Sequence, residues 1–86
     1  MVDEVVSPLF EWDEGNRGHC QKHGVPIAEI EALLRGSPRI APDLKHAHLE
    51  DRLIAVGRTA RGRSLFVAFT IRGRSGRRTI RAVSAR

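Results

Sequence analysis

Ile27, Ile30, Leu33 and Leu34 recur at helical spacing, with Glu29 and Glu31 between them, so residues 26–35 predict an amphipathic helix. Pro26 suits its first turn and Gly36 its end. An earlier helix is predicted from Asp13, an N-cap type, to about His23, closed by Gly24. Gly15 and Gly18 each cost that helix about 1 kcal/mol against alanine, so packing must order it, or another backbone approaches there. Residues 9–12 read as a short strand. Residues 39–41, bracketed by Pro38 and Pro42, read as an edge strand.

Three strand patterns follow, at 52–59, 64–72 and 79–86, separated by turns containing Gly62 and Gly73 with Gly76. The middle one is apolar on both faces (Leu65, Val67, Phe69 and Ile71 against Phe66, Ala68 and Thr70), which predicts a central position. In the last, Ile80, Ala82 and Ser84 alternate with Arg81 and Val83. The expected architecture is α+β: two N-terminal helices packed on one face of a small antiparallel sheet, as one domain over residues 1–86.

Charge sharpens this picture. Residues 1–34 carry seven acids and two bases, while residues 35–86 carry thirteen bases and three acids. From Arg52 onward there are ten arginines, with no lysine and no acid. Arginine favours planar, bidentate contact with phosphate or carboxylate, so the expected partner is polyanionic: nucleic acid, or an acidic protein covering the same face. No apolar run approaches the roughly 18 residues that span a bilayer, and residues 1–8 lack a basic signal-peptide region. A soluble, cytoplasmic protein without membrane contact is the expectation.

Candidate chemistry is concentrated in residues 43–52. Asp43, Lys45, His46, His48, Glu50, Asp51 and Arg52 lie there, just before the arginine-rich strands. General acid–base work at neutral pH needs a histidine or a tuned carboxylate beside the reacting group, and this stretch supplies both. The same composition also suits an ordinary solvated loop. His19, Cys20 and His23 resemble part of a zinc site, but no second Cys or Cys/His pair stands at finger-like spacing. Cys20 is read as a core residue and His23 as a helix-end cation, and neither a metal nor another cofactor is expected. With no tyrosine and only Phe10, Phe66, Phe69 and Trp12 as aromatics, stacking on single-stranded bases has little to work with.

Several phrases together resemble one family. "FEWDEGN" (10–16), "KHGV" (22–25) before an Ile/Glu/Ala/Leu helix, "EDRLIAVGRTARGR" (50–63) and "IRAVSAR" (80–86) look like the BrnT toxins of bacterial type II toxin–antitoxin pairs. The resemblance runs from about Leu9 to Arg86. It implies a RelE-like fold and a metal-independent endoribonuclease that cleaves RNA, mRNA above all. It also implies inhibition by a BrnA-like antitoxin with a ribbon-helix-helix part, so that DNA is met only through the antitoxin. Family members usually continue past Ser-Ala-Arg into a short basic helix with an aromatic, which this sequence lacks.

A RelE-like nuclease promotes attack of a ribose 2′-OH on the adjacent phosphate. On that resemblance Arg58, Arg72 and Arg81 are expected to stabilise the phosphate, with Arg52 and Arg86 flanking. Glu50 or His46 is the acid–base candidate; Glu50 and Arg52 form the family's Glu-x-Arg, or equally a structural ion pair. Lys45, Arg78 and Arg86 are expected to bind RNA. The alternative is a non-catalytic basic module that binds RNA or a protein.

Overall fold

In the computed structural model, residues 9–45, 52–74 and 77–86 are described, apart from the side chains of residues 74 and 77. The elements run β1 (Leu9–Phe10), α1 (Glu14–Gln21), α2 (Ile27–Arg35), β2 (Arg39–Pro42), β3 (Arg52–Arg58), β4 (Ser64–Arg74) and β5 (Arg77–Ala85). The strands form one sheet in the order β1-β5-β4-β3-β2. The doubly apolar β4 is its middle strand, and β2 forms an edge, both as the sequence predicts. The sheet is mixed rather than antiparallel, because β1 pairs in parallel with β5 through Leu9–Thr79 and Phe10–Ile80.

Local chemistry sets the helix ends. Asp13 caps α1 through a reciprocal box: its Oδ1 accepts from the Asn16 amide at 3.1 Å, and its own amide donates to Asn16 Oδ1 at 2.7 Å. The helix stops at Gln21, two residues before the predicted end, and a turn closes on Gly24 at φ +71°. Pro26 is the N-cap of α2 rather than part of its first turn, with extended backbone. The Gly36 amide ends α2 on the carbonyls of Ala32 and Leu33.

Cys20, Val25, Ile30 and Leu33 bury themselves against Ala55, Leu65, Val67, Phe69, Ala82 and Ala85 of the sheet. Trp12 packs partly into this core, with its indole N–H donating to Glu31 Oε2 at 2.8 Å. Phe10 is half-buried, with the Arg35 guanidinium 5.0 Å from its ring centre. Gly57 fits under Leu33, whose Cδ1 lies 2.5 Å from where a Cβ would stand. Among the described residues no other backbone lies against the helical glycines: a Cβ on Gly15 would meet Asp13 Oδ1 at 3.3 Å, and one on Gly18 would meet nothing within 4 Å.

One expectation fails inside β5. Ala68 pairs with Ser84 and Phe69 with Ala82, so Val83 is an extra residue in a β-bulge. The bulge shifts the alternation by one, placing Ser84 on the face of Arg81 instead of that of Ile80 and Ala82. The same shift returns Ala85 to the core, where it is fully buried.

Candidate functional site

Residues directly opposite each other on neighbouring strands share a face, so the register sorts the sheet's second face, away from the core, into rows. Arg52, Thr70 and Arg81 form one row across β3, β4 and β5. Ile54, Ala68 and Ser84 form the next. Val56 and Phe66 begin the third, which Arg86 completes by exchanging two backbone hydrogen bonds with Phe66, at 2.7 and 2.9 Å. Arg72 lies one row beyond Thr70 on the same face, opposite Thr79. With strands about 4.8 Å apart, the Arg52 and Arg81 backbones are about 10 Å apart, with Thr70 between them.

The centre of this arrangement contains an unmet demand. Arg52 Nε and Thr70 Oγ1 are buried, and neither has a hydrogen-bond partner among the described residues. Each such atom costs about 1–3 kcal/mol unless something satisfies it. The two belong to directly opposed residues. A guanidinium N–H donates only, and a hydroxyl can donate, so an anionic oxygen suits both. Beside them a hollow of about 220 Å³ is lined by Asp43, Lys45, Arg52, Ile54, Phe66, Ala68, Ser84 and Arg86. Its floor is low because Ala68 and Ser84 are small. Phe66 stands at one side, half of its surface exposed.

Arg81 is held from the other side. Its Nη1 donates to Asp13 Oδ2 at 2.7 Å and its Nη2 to Asp13 Oδ1 at 3.3 Å, with Glu11 Oε1 at 3.9 Å. The Arg81 hydrogen bonds hold the Asp13 carboxyl down, from 3.8 to about 2, with help from the Asn16 amide. The buried Asn16 side chain fixes the same junction by donating to the carbonyls of Glu11 and Ala82, both at 2.9 Å. The segment before α1 is thereby stitched to β5, and Arg81 is oriented by it.

The structure therefore brings together most, but not all, of the expected site residues. Lys45, Arg52 and Arg86 line one hollow, and Arg72 and Arg81 share its face of the sheet. Arg58 stands apart: six residues beyond Arg52 on the same strand, it is about 20 Å away. Its Nη1 donates to the Gly62 carbonyl at 3.0 Å, and it borders a different hollow of about 640 Å³ together with Arg39. Arg78 lies opposite Gly73, out of phase with Arg72 and Arg81 and so on the other face. Glu50 and His46 lie outside the described residues. Sequence reasoning missed Thr70 and Phe66 as site residues. Their even spacing with Arg72 was the available signal, hidden by reading β4 as buried on both faces.

Among the described residues, no group of three or more His, Cys, Asp or Glu side chains is placed to hold a metal ion. Cys20 is fully buried, and burial pushes its thiol up to about 11, while His19 and His23 are exposed. Nor is any described helix long and apolar enough to cross a membrane.

A family model described as the ribonuclease toxin BrnT of type II toxin–antitoxin systems matches residues 12–86. The chain belongs to the BrnT toxin family. Membership makes it a ribonuclease toxin with an RNA substrate and an antitoxin partner, and the matched span includes every row residue of the cationic face. No curated protein and no solved structure matches the chain. An RNA substrate supplies phosphate oxygens, which suit a buried guanidinium donor such as Arg52 Nε that has no partner among the described residues.

Proposed function

We propose that this BrnT-family chain is a metal-independent endoribonuclease acting on mRNA in the cytoplasm, with its reaction centre on the Arg52–Thr70–Arg81 row. The observation that carries the reading is the buried pair Arg52 Nε and Thr70 Oγ1, without partners among the described residues. The ribose 2′-OH attacks the adjacent phosphorus, the bond to the 5′-oxygen breaks, and the products carry a 2′,3′-cyclic phosphate and a 5′-hydroxyl. Arg52 and Thr70 donate to the phosphoryl oxygens as charge develops on them. Arg81, oriented by Asp13, and Arg72 complete the cationic surround, while Lys45 and Arg86 guide the flanking strand. Glu50, two residues before Arg52, is the proposed proton acceptor for the 2′-OH, with His46 as its counterpart at the leaving oxygen.

The fold kinship we favour is RelE-like. The partner we favour is a BrnA-like antitoxin with a ribbon-helix-helix part, competing with RNA for the arginine face. Arg58 is assigned no part in the reaction, because its distance along β3 separates it from the row. Single-turnover cleavage and RNA affinity, measured side by side, test the reading. Arg52→Ala should slow cleavage by about 10²–10³-fold while weakening affinity far less. Arg58→Ala should cleave within a few-fold of the parent. Equal, modest losses of affinity in both variants, with no cleavage in the parent, would instead describe a basic binding module.

A further inference from the structure

Phe66 is anomalous on this surface. It is a large apolar side chain, 50% exposed, on a face that carries Arg52, Arg72, Arg81 and Arg86 as well as the less exposed Ile54 and Val56, with Lys45 lining the same hollow. Its neighbours in phase on β4, Ala68 and Ser64, are small and leave its ring standing above the hollow. Its backbone is fixed on both sides, paired with Val56 on β3 and doubly hydrogen-bonded to Arg86. A protein interior would use such a ring for packing, yet the core lies on the opposite face, with Leu65 and Val67.

Charge selects the occupant. The hollow's charged lining is three cations, Lys45, Arg52 and Arg86, against the one carboxylate of the buried Asp43, so an apolar partner segment would have to desolvate a net positive charge, which is costly. A nucleotide meets both demands together: its phosphate answers the cations and its base has a π-face for the ring. Arg52 and Phe66 line the same hollow, with the small residues Ala68 and Ser84 between their rows, so a sugar can lie over that floor with its phosphate towards Arg52.

We infer that Phe66 is a base-stacking platform for the nucleotide next to the phosphate held by Arg52 and Thr70, which restricts the substrate to single-stranded RNA. Bases paired in an A-form helix keep their faces stacked on their neighbours and cannot lie on the ring. The inference rests on the proposed reaction centre for its direction, but its test does not require cleavage.

The probe is a 2′-O-methyl pentaadenylate, which lacks the attacking hydroxyl and cannot be cut, with 2-aminopurine replacing one adenine at each position in turn. Binding is followed by anisotropy and by the aminopurine emission, on protein whose fold is checked by circular dichroism. Phe66→Leu should weaken binding about 5- to 150-fold, the range expected for one stacked base, and Phe66→Tyr should retain parental affinity. At one aminopurine position the emission should be quenched by the parent and by Phe66→Tyr, but not by Phe66→Leu. A duplex of the same strand should bind the parent and Phe66→Leu alike. Parental affinity and quenching in a folded Phe66→Leu protein would overturn the inference. Phe66-dependent binding with no cleavage of ordinary RNA would leave the platform standing and remove the proposed reaction instead.

Discussion

Arg81 on the last strand forks onto Asp13, the residue that caps the first helix, with one hydrogen bond of 2.7 Å and one of 3.3 Å. Sixty-eight residues separate the two in sequence. The contact joins the acidic N-terminal part of the chain to its arginine-rich C-terminal part. It also gives the opposite charges of the two parts a local meaning: one cation of the site is aimed by a helix cap.

Acid should undo this joint first. Asp13 titrates at about 2 in the folded protein against an ordinary 3.8, so its contribution is fully present above pH 3.8. It is lost as pH falls from there through about 2. Thermal melts between pH 7 and pH 2 should show this limb in the parent. Asp13→Asn should melt lower at neutral pH and show a shallower acid limb.

Asn16 is the most constrained polar residue of the junction, since its two amide N–H groups and its oxygen all have backbone partners. Asn16→Ala should destabilise the fold by about 1–3 kcal/mol, as carbonyls of Glu11 and Ala82 lose their donor. Asn16→Asp should cost more at neutral pH, because a carboxylate then faces two carbonyl oxygens. Urea unfolding at pH 7 provides the comparison.

Gly57→Ala should destabilise by about 1–3 kcal/mol, because its new methyl would stand 2.5 Å from Cδ1 of the buried Leu33, which must shift. Equilibrium unfolding tests this in a double-mutant cycle: in a Leu33→Ala background, itself destabilised, the added cost of Gly57→Ala should shrink. That coupling would identify the steric contact as the cause.

Much of this fold is written locally in the sequence. Asp13, Gly24 and Gly62 each mark a chain reversal or helix end with chemistry that acts within a few residues, and each does so in the structure. The central place of β4 follows from its two apolar faces. What the sequence hid depends on distant partners. The two-residue β1 has too few positions for any period, so its parallel pairing with β5 could not be foreseen. The bulge at Val83 reverses the phase of Ser84 without a glycine to announce it. Among the candidate site residues, arginine identity was legible but grouping was not. Arg52 and Arg58 lie on one strand in the same phase, yet strand length alone places them at opposite ends.

Cys20 supplies a check on packing that is independent of the arginines. Buried, with its thiol held at about 11, it should resist a thiol-specific disulfide reagent at pH 8 until the protein is unfolded. Its contribution to stability is complete below its ordinary 9.0 and declines as pH rises towards 11, since ionisation inside the core is disfavoured. Rapid labelling of the native protein would contradict the packing of α1 against β5.

The central claim, that the Arg52–Thr70–Arg81 row cleaves RNA without a metal, is tested most directly by one incubation. Purified protein and an unstructured RNA are combined in excess EDTA, alongside Arg52→Ala, and the product ends are mapped. The account predicts cleavage by the parent, with 2′,3′-cyclic phosphate and 5′-hydroxyl ends, and its loss in Arg52→Ala. Cleavage abolished by EDTA and restored by a divalent ion, or undiminished in Arg52→Ala, would contradict it.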